Sequence, residues 1–455
     1  MNWGFLLLRI VILLGIFSLL FFSQRFWYVT LWRVTANWGS RFLRVSVRLL
    51  YITALFLVIL ATADGFRMGH GHIIPRGTMI TVLAGLWFSS ALFAYLAVKV
   101  VRGIERLWHW LHRANQAKAR AAAANSPSDS STPYAALETL ADPSRRYFFR
   151  TASIAAGAAP FLGAMYGFAA ERLNYQVRRV EIPIPNLPGS LDGLKIVQLS
   201  DIHLSGYMSR SQVRRAVDMA NDLGADLAVV TGDFITGAGD PIADCIDEVR
   251  RLQAPLGIWG CNGNHEIYAK AEYTAQVLFR ERGMKLLRGE NAQLTFRGAQ
   301  FNLIGVDYQR ERAPGGRRVQ LLSGMQSLVR RDMPNILLSH NPNSFNRAAE
   351  LGIELSLAGH THGGQVQVEI LDHRLSPARF ITDYIAGQYQ RPLFAPALDD
   401  RAWQGSPKRV DLRLTDFDST HGRAVLYVNR GLGTVGAPVR LGVPPEITLL
   451  TLRRA

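Results

Sequence analysis

Five short segments rich in histidine, aspartate and asparagine follow one another through the C-terminal half of this 455-residue chain. They are Asp201-Ile202-His203, Gly232-Asp233, Gly263-Asn264-His265-Glu266, Ser339-His340 and Gly359-His360-Thr361-His362. A mixed set of carboxylate, carboxamide and imidazole groups suits Mn²⁺, Zn²⁺ or Fe better than a cysteine-rich zinc site would. Together the segments predict ligands for two adjacent divalent ions, the apparatus of metal-assisted phosphoester hydrolysis.

Each segment begins where an apolar, partly β-branched run ends, and such runs predict short buried strands. The predicted strands cover residues 194–199, 227–230, 257–260, 336–338 and 355–358. Helices are predicted over 211–223, with an apolar stripe from Val213 to Ala220, and over 245–252. Layered α/β proteins place their chemistry at such strand ends, because the strands fix the loops that follow them.

The order of the five segments resembles the calcineurin-like metallophosphoesterase superfamily over roughly residues 190–455. The tail, Tyr427 to Thr434 and Pro444 to Leu449, together with Gly363-Gly364-Gln365, looks like the membrane-associated or twin-arginine-exported bacterial branch. This resemblance implies an α/β fold, a two-sheet β-sandwich flanked by helices. Periodicity alone does not separate that fold from other α/β layers.

The resemblance also implies a role for each site residue. It assigns Asp201, His203 and His362 to one metal, and Asn264, His340 and His360 to a second. It makes Asp233 the bridge between the two ions. Two ions about 3.5–4 Å apart hold a bridging hydroxide as the nucleophile.

His265 corresponds to the family histidine beside the leaving-group oxygen, a proton donor or transition-state stabiliser. Many members orient that histidine with an aspartate three residues after the bridging one, whereas this chain has Thr236.

Charge is distributed unevenly along the chain. Residues 1–180 contain 20 Lys and Arg against 6 Asp and Glu, whereas residues 181–455 contain 31 against 29. A basic globular domain would favour nucleic acid as a partner, but the predicted catalytic half is almost neutral. The basic excess instead lies between apolar segments, where it sets membrane orientation.

Apolar segments predict an N-terminal bundle of about four transmembrane helices. A membrane domain over 1–114 contains spans at about 5–23, 45–63 and 79–101, and a cytoplasmic linker follows over 115–150. Residues 151–170 form a fourth span or signal-anchor, and 171–455 form the phosphoesterase domain. Only Cys245 and Cys261 are present, which excludes a disulfide framework and leaves two buried thiols or a single disulfide.

The linker ends in Ser144-Arg145-Arg146-Tyr147-Phe148-Phe149-Arg150, which resembles a twin-arginine export signal. Alternatively, the arginines anchor a fourth helix on its cytoplasmic side. Residues 24–48 hold five arginines and no acid, and residues 102–150 hold eight basic residues against four acids, so both loops should be cytoplasmic. This predicts a multi-pass protein of the bacterial inner membrane whose residues 171–455 face the periplasm or exterior, on an uncleaved anchor.

These patterns predict a membrane-anchored, metal-dependent phosphodiesterase or phosphomonoesterase that acts on an envelope or lipid-linked phosphoester. The alternatives are a nuclease of the same superfamily and a non-enzymatic envelope scaffold that keeps metal for stability. Arg310, Arg312 and the arginine pairs at 317–318 and 330–331 are either solvated surface or phosphate contacts. Arg430 is either a packing residue or a substrate contact, and the stretch between Gln365 and Tyr427 is either a cap or a surface loop.

Overall fold

The computed structural model describes residues 3–65, 79–124, 143–310, 319–370, 373–375, 378, 382–393 and 422–455. The chain divides into two compact units. One consists of Leu6–Val58 and Leu86–Met165, and the other of Tyr166–Ala455 with the described residues of Met1–Phe5 and Ile59–Gly85.

Nine α-helices and fourteen strands lie in the described part of the chain. The helices are α1 (Trp3–Ala36), α2 (Arg41–Gly65), α3 (Met79–Ala124), α4 (Pro143–Ala169), α5 (Arg210–Asn221), α6 (Ile242–Val249), α7 (Asn264–Ala269), α8 (Glu272–Glu281) and α9 (Phe345–Leu351). The strands are β1 (Gln176–Ile184), β2 (Lys195–Leu199), β3 (Leu227–Thr231), β4 (Ile258–Cys261), β5 (Lys285–Leu286), β6 (Glu290–Phe296), β7 (Ala299–Gly305), β8 (Asn335–Leu338), β9 (Leu355–Ala358), β10 (Val368–Ile370), β11 (His373–Leu375), β12 (Gly387–Pro392), β13 (Arg423–Val428) and β14 (Glu446–Arg454).

Twelve of these strands form two mixed sheets of six. The first has the order β1-β14-β2-β3-β4-β5, in which β2, β3 and β4 are parallel neighbours. The second has the order β12-β13-β9-β8-β7-β6, in which β8 and β9 are parallel neighbours. Parallel neighbours end at the same edge of their sheet. The loops after β2, β3 and β4 therefore gather at one edge of the first sheet, and those after β8 and β9 at one edge of the second.

Apolar side chains from both sheets form one shared core, which contains Ile196 and Leu227 from the first sheet and Leu303 and Leu357 from the second. The opposite face of the first sheet packs against α5, α6 and α8, and that of the second packs against α9. Both sheets are therefore covered on both faces, which explains why β3 is buried along its whole length. The predicted two-sheet sandwich flanked by helices is confirmed.

The predicted strands lie within one residue of β2, β3, β4, β8 and β9 at each end. Helix α5 buries the predicted stripe of Val213, Ala216, Val217 and Ala220, and Ser209 caps its start in a reciprocal pair with Gln212. The second predicted helix begins three residues too late, because α6 starts at Ile242. Both cysteines are buried free thiols.

Three of the described helical regions are long and apolar enough to cross a membrane: Arg41–Leu60, Ile80–Asn115 and Ser144–Leu173. They present exposed apolar side chains such as Phe42, Leu50 and Leu162, as expected of surfaces that contact lipid. The span predicted at 5–23 lies within α1, whose first side chains are outside the described residues, so it stays a prediction. The first ten residues of the predicted linker belong to α3, and most of its remainder is outside the described residues.

Candidate metal centre

The predicted site residues lie in the loops that directly follow five strands, three in the first sheet and two in the second. Asp201 and Asp233 come two residues after β2 and β3, Asn264 three residues after β4, and His340 and His360 two residues after β8 and β9. Hydrogen bonds join these loops across the two sheets, as from Gln198 Nε2 on β2 to the carbonyl of Ala358 on β9, at 3.0 Å. The sandwich thus brings side chains from distant parts of the sequence to one edge.

Five of the predicted ligands have left-handed backbone conformations, although none is a glycine. They are Asp201 (φ 47°), His203 (φ 51°), Asp233 (φ 56°), His360 (φ 75°) and His362 (φ 52°). Such a conformation costs on the order of 1 kcal/mol or more per residue, and it persists where the surrounding structure imposes it. Its concentration here indicates that side-chain direction at this edge has been favoured over backbone stability.

Possible ligand atoms converge in overlapping groups whose members lie within 4.8 Å of one another. The groups are Asp201, His203 and His362; Asp233, His340 and His360; and His203, Asp233 and His265. The first group contains the three residues that the resemblance assigns to one metal, and the second contains Asp233 with two of the residues assigned to the other. Asp233 lies between the two groups, because His203 Nε2 and His340 Nε2 are 3.5 and 3.0 Å from its Oδ2.

The side chains satisfy a direct test of fit for metal ions. Among the described residues, the buried atoms without a hydrogen-bond partner include His203 Nε2, Asn264 Oδ1 and His362 Nδ1. A buried polar atom left unpaired is costly, and here three such atoms belong to predicted ligands in the same small volume. Imidazole nitrogen and amide oxygen are donors that divalent transition metals accept, so the residues fit the implied ions.

Backbone carbonyls set the orientation of two histidines. Nδ1 of His340 lies 2.6 Å from the carbonyl oxygen of Thr231, and Nδ1 of His265 lies 2.6 Å from that of Thr236. Because a carbonyl only accepts, each Nδ1 must carry the proton, which leaves each Nε2 available to the site. The position where many relatives have an aspartate therefore still orients His265, but through the main chain of Thr236 rather than through a carboxylate.

Burial keeps three of the imidazoles neutral. It lowers the pKa of His203 to about 3 and that of His360 to about 4, and it lowers the pKa of His362 well below the usual value. A neutral imidazole offers a lone pair to a cation, which is the protonation state that metal binding requires.

The buried carboxylates of Asp201 and Asp233 favour a positive charge between them. Burial disfavours the charged form of His340, but Asp233 and Asp201 outweigh it and raise the pKa of His340 to about 10. Burial raises the pKa of Asp201 to about 6, whereas His340 holds the pKa of Asp233 well below its usual range against the effect of burial. The same carboxylates would stabilise a divalent cation placed between them.

Glycines allow the ligand loops to approach closely. A Cβ on Gly431, whose φ is +72°, would lie 2.5 Å from Asp201 Cβ, and a Cβ on Gly433 would lie 2.8 Å from His203 Cβ. A Cβ on Gly359 would overlap Ser200 Oγ and an Asp201 carboxylate oxygen. A side chain at any of these positions would displace a predicted ligand.

Glu266 is a positioning residue to which the sequence analysis gave no role. Its carboxylate is fully buried and accepts four backbone N–H groups, from Asp233 (2.9 Å), Phe234 (2.8 Å), Ile235 (3.3 Å) and Gly263 (2.8 Å). It therefore ties the loop of Asp233 to the loop of Asn264. The available signal was a glutamate at the third position of the helix that begins at Asn264.

Arg440 is a second residue that the sequence analysis missed. It is fully buried, and its guanidinium donates to the carbonyls of Arg430, Gly431, Gly433 and Val443 at 2.6–3.2 Å. The same loop donates to the main chain of Asp201, for example from the N–H of Gly433 at 2.7 Å. Arg440 therefore holds the family-like tail against the strand end that carries Asp201.

The remaining arginines that the sequence singled out fall into distinct environments. Arg430 Nε lies 3.2 Å from a carboxylate oxygen of the buried Glu446, which favours the packing role. Arg330 pairs on the surface with Asp332. Arg312 and the pair at 317–318 lie outside the described residues, whereas Arg310 lies over the ring of Tyr268, next to His265 on α7.

Much of the stretch between Gln365 and Tyr427 lies outside the described residues. Its described part contributes β12, which extends the second sheet by pairing with β13. Tyr384 and Tyr389 from this part are buried against Phe345 of α9. This portion is thus integral to the fold, and the question of a cap concerns residues that are not described.

Comparison with known proteins gives a consistent family. The family model for calcineurin-like phosphoesterases matches residues 194–364. An uncharacterised metallophosphoesterase of Bacillus subtilis, YkuE, is 30% identical over 317 residues, which cover 68% of this chain and 98% of that protein. A bovine transmembrane protein with a metallophosphoesterase domain is 30% identical over 290 residues, which cover 61% of this chain and 57% of that protein.

A third relative has a named activity. The UDP-2,3-diacylglucosamine pyrophosphatase LpxG of Chlamydia muridarum is 25% identical over 334 residues, which cover 64% of this chain and 94% of that protein. The match to the bovine protein, by contrast, spans less than two thirds of that protein's length. Since the matched region contains all five ligand-bearing segments and the B. subtilis protein is covered almost end to end, the chain belongs to the calcineurin-like metallophosphoesterase family.

Proposed function

We propose that this chain is a metal-dependent phosphoester hydrolase that uses a two-metal site. The observation that carries the proposal is the set of unpartnered, buried ligand atoms in two groups of residues, with Asp233 in one group and 3.5 Å from His203 of the other. Asp201, His203 and His362 would hold one ion, Asn264, His340 and His360 the other, and Asp233 both. When bound, the divalent ions, Mn, Zn or Fe, supply Lewis-acid activation of water and of the phosphate.

His265 is the proposed proton donor to the leaving-group oxygen. Its Nδ1 proton is held by the carbonyl of Thr236, so its Nε2 is the atom that can hold and release a proton at the site. The side chain is only partly buried, unlike Asp201, His203 and Asp233, and substrate can therefore reach it. His265→Ala should slow an ester with a poor leaving group, such as phenol, more than one with p-nitrophenol. Equal loss on both esters would remove the donor role.

The proposed substrate is a phosphoester linked to the cell envelope or to a lipid, hydrolysed at the periplasmic or outer face of a bacterial inner membrane. Three regions able to span a membrane support a membrane location, as does the bovine relative's description as a transmembrane protein. The lipid-sugar substrate in the name of the chlamydial relative supports a lipid-linked phosphate. The arginine-rich loops of the sequence support the orientation.

The decisive experiment is hydrolysis of bis-p-nitrophenyl phosphate and p-nitrophenyl phosphate by the full chain in detergent. Turnover should require Mn²⁺ or Zn²⁺ and disappear with a chelator, and the preferred ester will separate diesterase from monoesterase. Asp233→Asn and His362→Ala should each reduce turnover by more than about a hundredfold, because outer-shell partners alone are worth tenfold to a hundredfold.

Matched controls are Asp218→Asn, at an exposed aspartate paired with Arg251, and His112→Ala, at a histidine stacked on Trp108. Both should retain wild-type turnover. Metal bound in the wild-type ratio without turnover on any phosphoester would instead support the scaffold interpretation.

A further inference from the structure

The metal centre opens on the side of His265 and His360. These two side chains are partly buried, whereas Asp201, His203 and His340 are at most 1% exposed. A substrate larger than phosphate must therefore extend outward past this pair of histidines. The residues beside them determine what the substrate can carry.

Tyrosines flank both histidines. Tyr268 lies one helical turn after His265 on α7, its ring centroid is 5.8 Å from that of His265, and it is 53% exposed. The ring centroid of Tyr308, after β7, lies 5.2 Å from that of His360. An exposed tyrosine next to an enzyme centre offers an apolar face for an organic group and a hydroxyl for a polar one.

Arg310 adds a positive charge to this opening. Its guanidinium carbon lies 5.1 Å from the ring centroid of Tyr268 and the side chain is exposed. Within the described residues no carboxylate forms an ion pair with it. Stacking on the ring restricts the guanidinium in advance, so less conformational freedom is lost when it binds an anion.

The segment that carries Tyr308 and Arg310 is fixed to the metal-binding loops themselves. Asn262, two residues before Asn264, donates to Asp307 Oδ1 at 2.8 Å. Asn341, directly after His340, donates to the carbonyl of Gln309 at 3.0 Å. The positions of Tyr308 and Arg310 are therefore coupled to the centre by hydrogen bonds on both sides and are not those of an independent surface loop.

We infer that Tyr268, Tyr308 and Arg310 form a leaving-group subsite that binds a second phosphoryl group adjoining the scissile one. The inference rests on the proposed function. His265 marks the leaving-group side, and Arg310 lies one ring beyond it. A guanidinium matches the oxygens of a phosphate through two parallel hydrogen bonds, while the tyrosine rings cover the organic part. The substrate class is therefore a pyrophosphate-linked ester rather than a simple diester.

The test compares inorganic pyrophosphate with orthophosphate as inhibitors of bis-p-nitrophenyl phosphate hydrolysis by the full chain, at buffered free Mn²⁺. Arg310→Gln should raise the inhibition constant of pyrophosphate by about tenfold or more, the value of a charge-assisted hydrogen bond. The constant for orthophosphate should change much less. Tyr268→Leu should also weaken pyrophosphate, because Arg310 loses the ring that holds it.

Two matched controls come from elsewhere in the chain. Arg297 stacks on Phe296 at 4.7 Å in an exposed turn, and Tyr273 is an exposed tyrosine of α8. Arg297→Gln and Tyr273→Leu should leave both inhibition constants unchanged. If Arg310→Gln weakens the two inhibitors equally, or neither, the subsite is refuted while the hydrolase stands. Absence of metal-dependent hydrolysis by the wild-type chain would instead refute the proposed function.

Discussion

Replacement of Glu266 by glutamine isolates the electrostatic part of the scaffold around the bridging aspartate. The two side chains have nearly the same shape, so no cavity forms. Each carboxylate oxygen of Glu266 accepts two backbone N–H groups: Oε2 those of Asp233 and Gly263, and Oε1 those of Phe234 and Ile235. In Glu266→Gln one oxygen becomes an NH₂ group that faces two donors.

The structure sets the size of the effect. Two hydrogen bonds to a charged acceptor are worth roughly 1.5–3 kcal/mol each. Against this, burial and the neighbouring Asp233 raise the pKa of Glu266 to about 7, so its ionised form already carries a cost of about 3 kcal/mol. The free energy of unfolding of Glu266→Gln should therefore fall by up to about 3 kcal/mol at pH 8, where the carboxylate is ionised. Because the Asp233 loop loses its anchor, metal affinity should fall by about tenfold to a hundredfold.

Denaturant unfolding in detergent and competition for Zn²⁺ with a chromophoric chelator measure the two quantities. Glu354→Gln is the matched control, because Glu354 is half-buried and accepts the N–H of Asn335 at 2.8 Å, on β8 at the opposite end from His340. It should lose stability but keep its metal affinity. If Glu266→Gln lowers stability while binding metal as tightly as Glu354→Gln does, Glu266 has no part in positioning Asp233.

Three further outcomes follow from the same contacts. Gly359→Ala should lower metal affinity, because the added Cβ would overlap an Asp201 oxygen. The control Gly189→Ala should not, because no atom lies within 4 Å of the added Cβ. Isothermal titration with Zn²⁺ compares the two variants, and equal affinities would contradict the close-approach argument. Arg214 and Arg210 lower the pKa of Glu248 to about 2 despite its burial. The carboxylate therefore contributes fully to stability above its unfolded pKa of about 4.3, and this contribution is lost as pH falls from about 5 towards 2. The stability difference between wild type and Glu248→Gln should shrink from pH 7 to pH 3.5, and a constant difference would contradict this. Arg440→Lys should weaken metal binding and so reduce phosphoesterase activity, because lysine cannot bridge the four carbonyls that arginine joins. Activity should recover at saturating Mn²⁺. Loss of activity without this recovery would point to a different role for Arg440.

His265, the proposed proton donor, shows how the fold replaces one orienting group with another. The sequence lacks the aspartate that many relatives place three residues after the bridging one, and the position holds Thr236. The carbonyl of that residue accepts from His265 Nδ1, and its hydroxyl lies 3.3 Å from His203 Nδ1. A main-chain acceptor leaves no trace in the amino-acid type, so only the coordinates reveal it.

The sequence by itself determined the strands and the ligand types of this protein, because both depend on local properties. Apolar runs of three to six residues predict buried strands, and the Asp, Asn and His residues after them predict the donor set. Residues whose role depends on their position rather than on their type are identified only by the structure. Glu266, Arg440 and Tyr268 are ordinary residue types, and what distinguishes them is their position beside the candidate metal centre; for Arg310 the sequence left surface and phosphate contact open, and the structure places it on the ring of Tyr268.

Only the tertiary structure decided which atoms meet. Asp201 and His360 are 159 residues apart in the chain, yet the backbone N–H of His360 donates to both carboxylate oxygens of Asp201 at 3.0 and 3.1 Å. That contact exists because β2 and β9 lie in different sheets whose strand ends face one another across a shared core. Local periodicity specifies each strand, but the pairing of sheets arises from burial of apolar surface over the whole domain, and the geometry of the centre follows from that pairing.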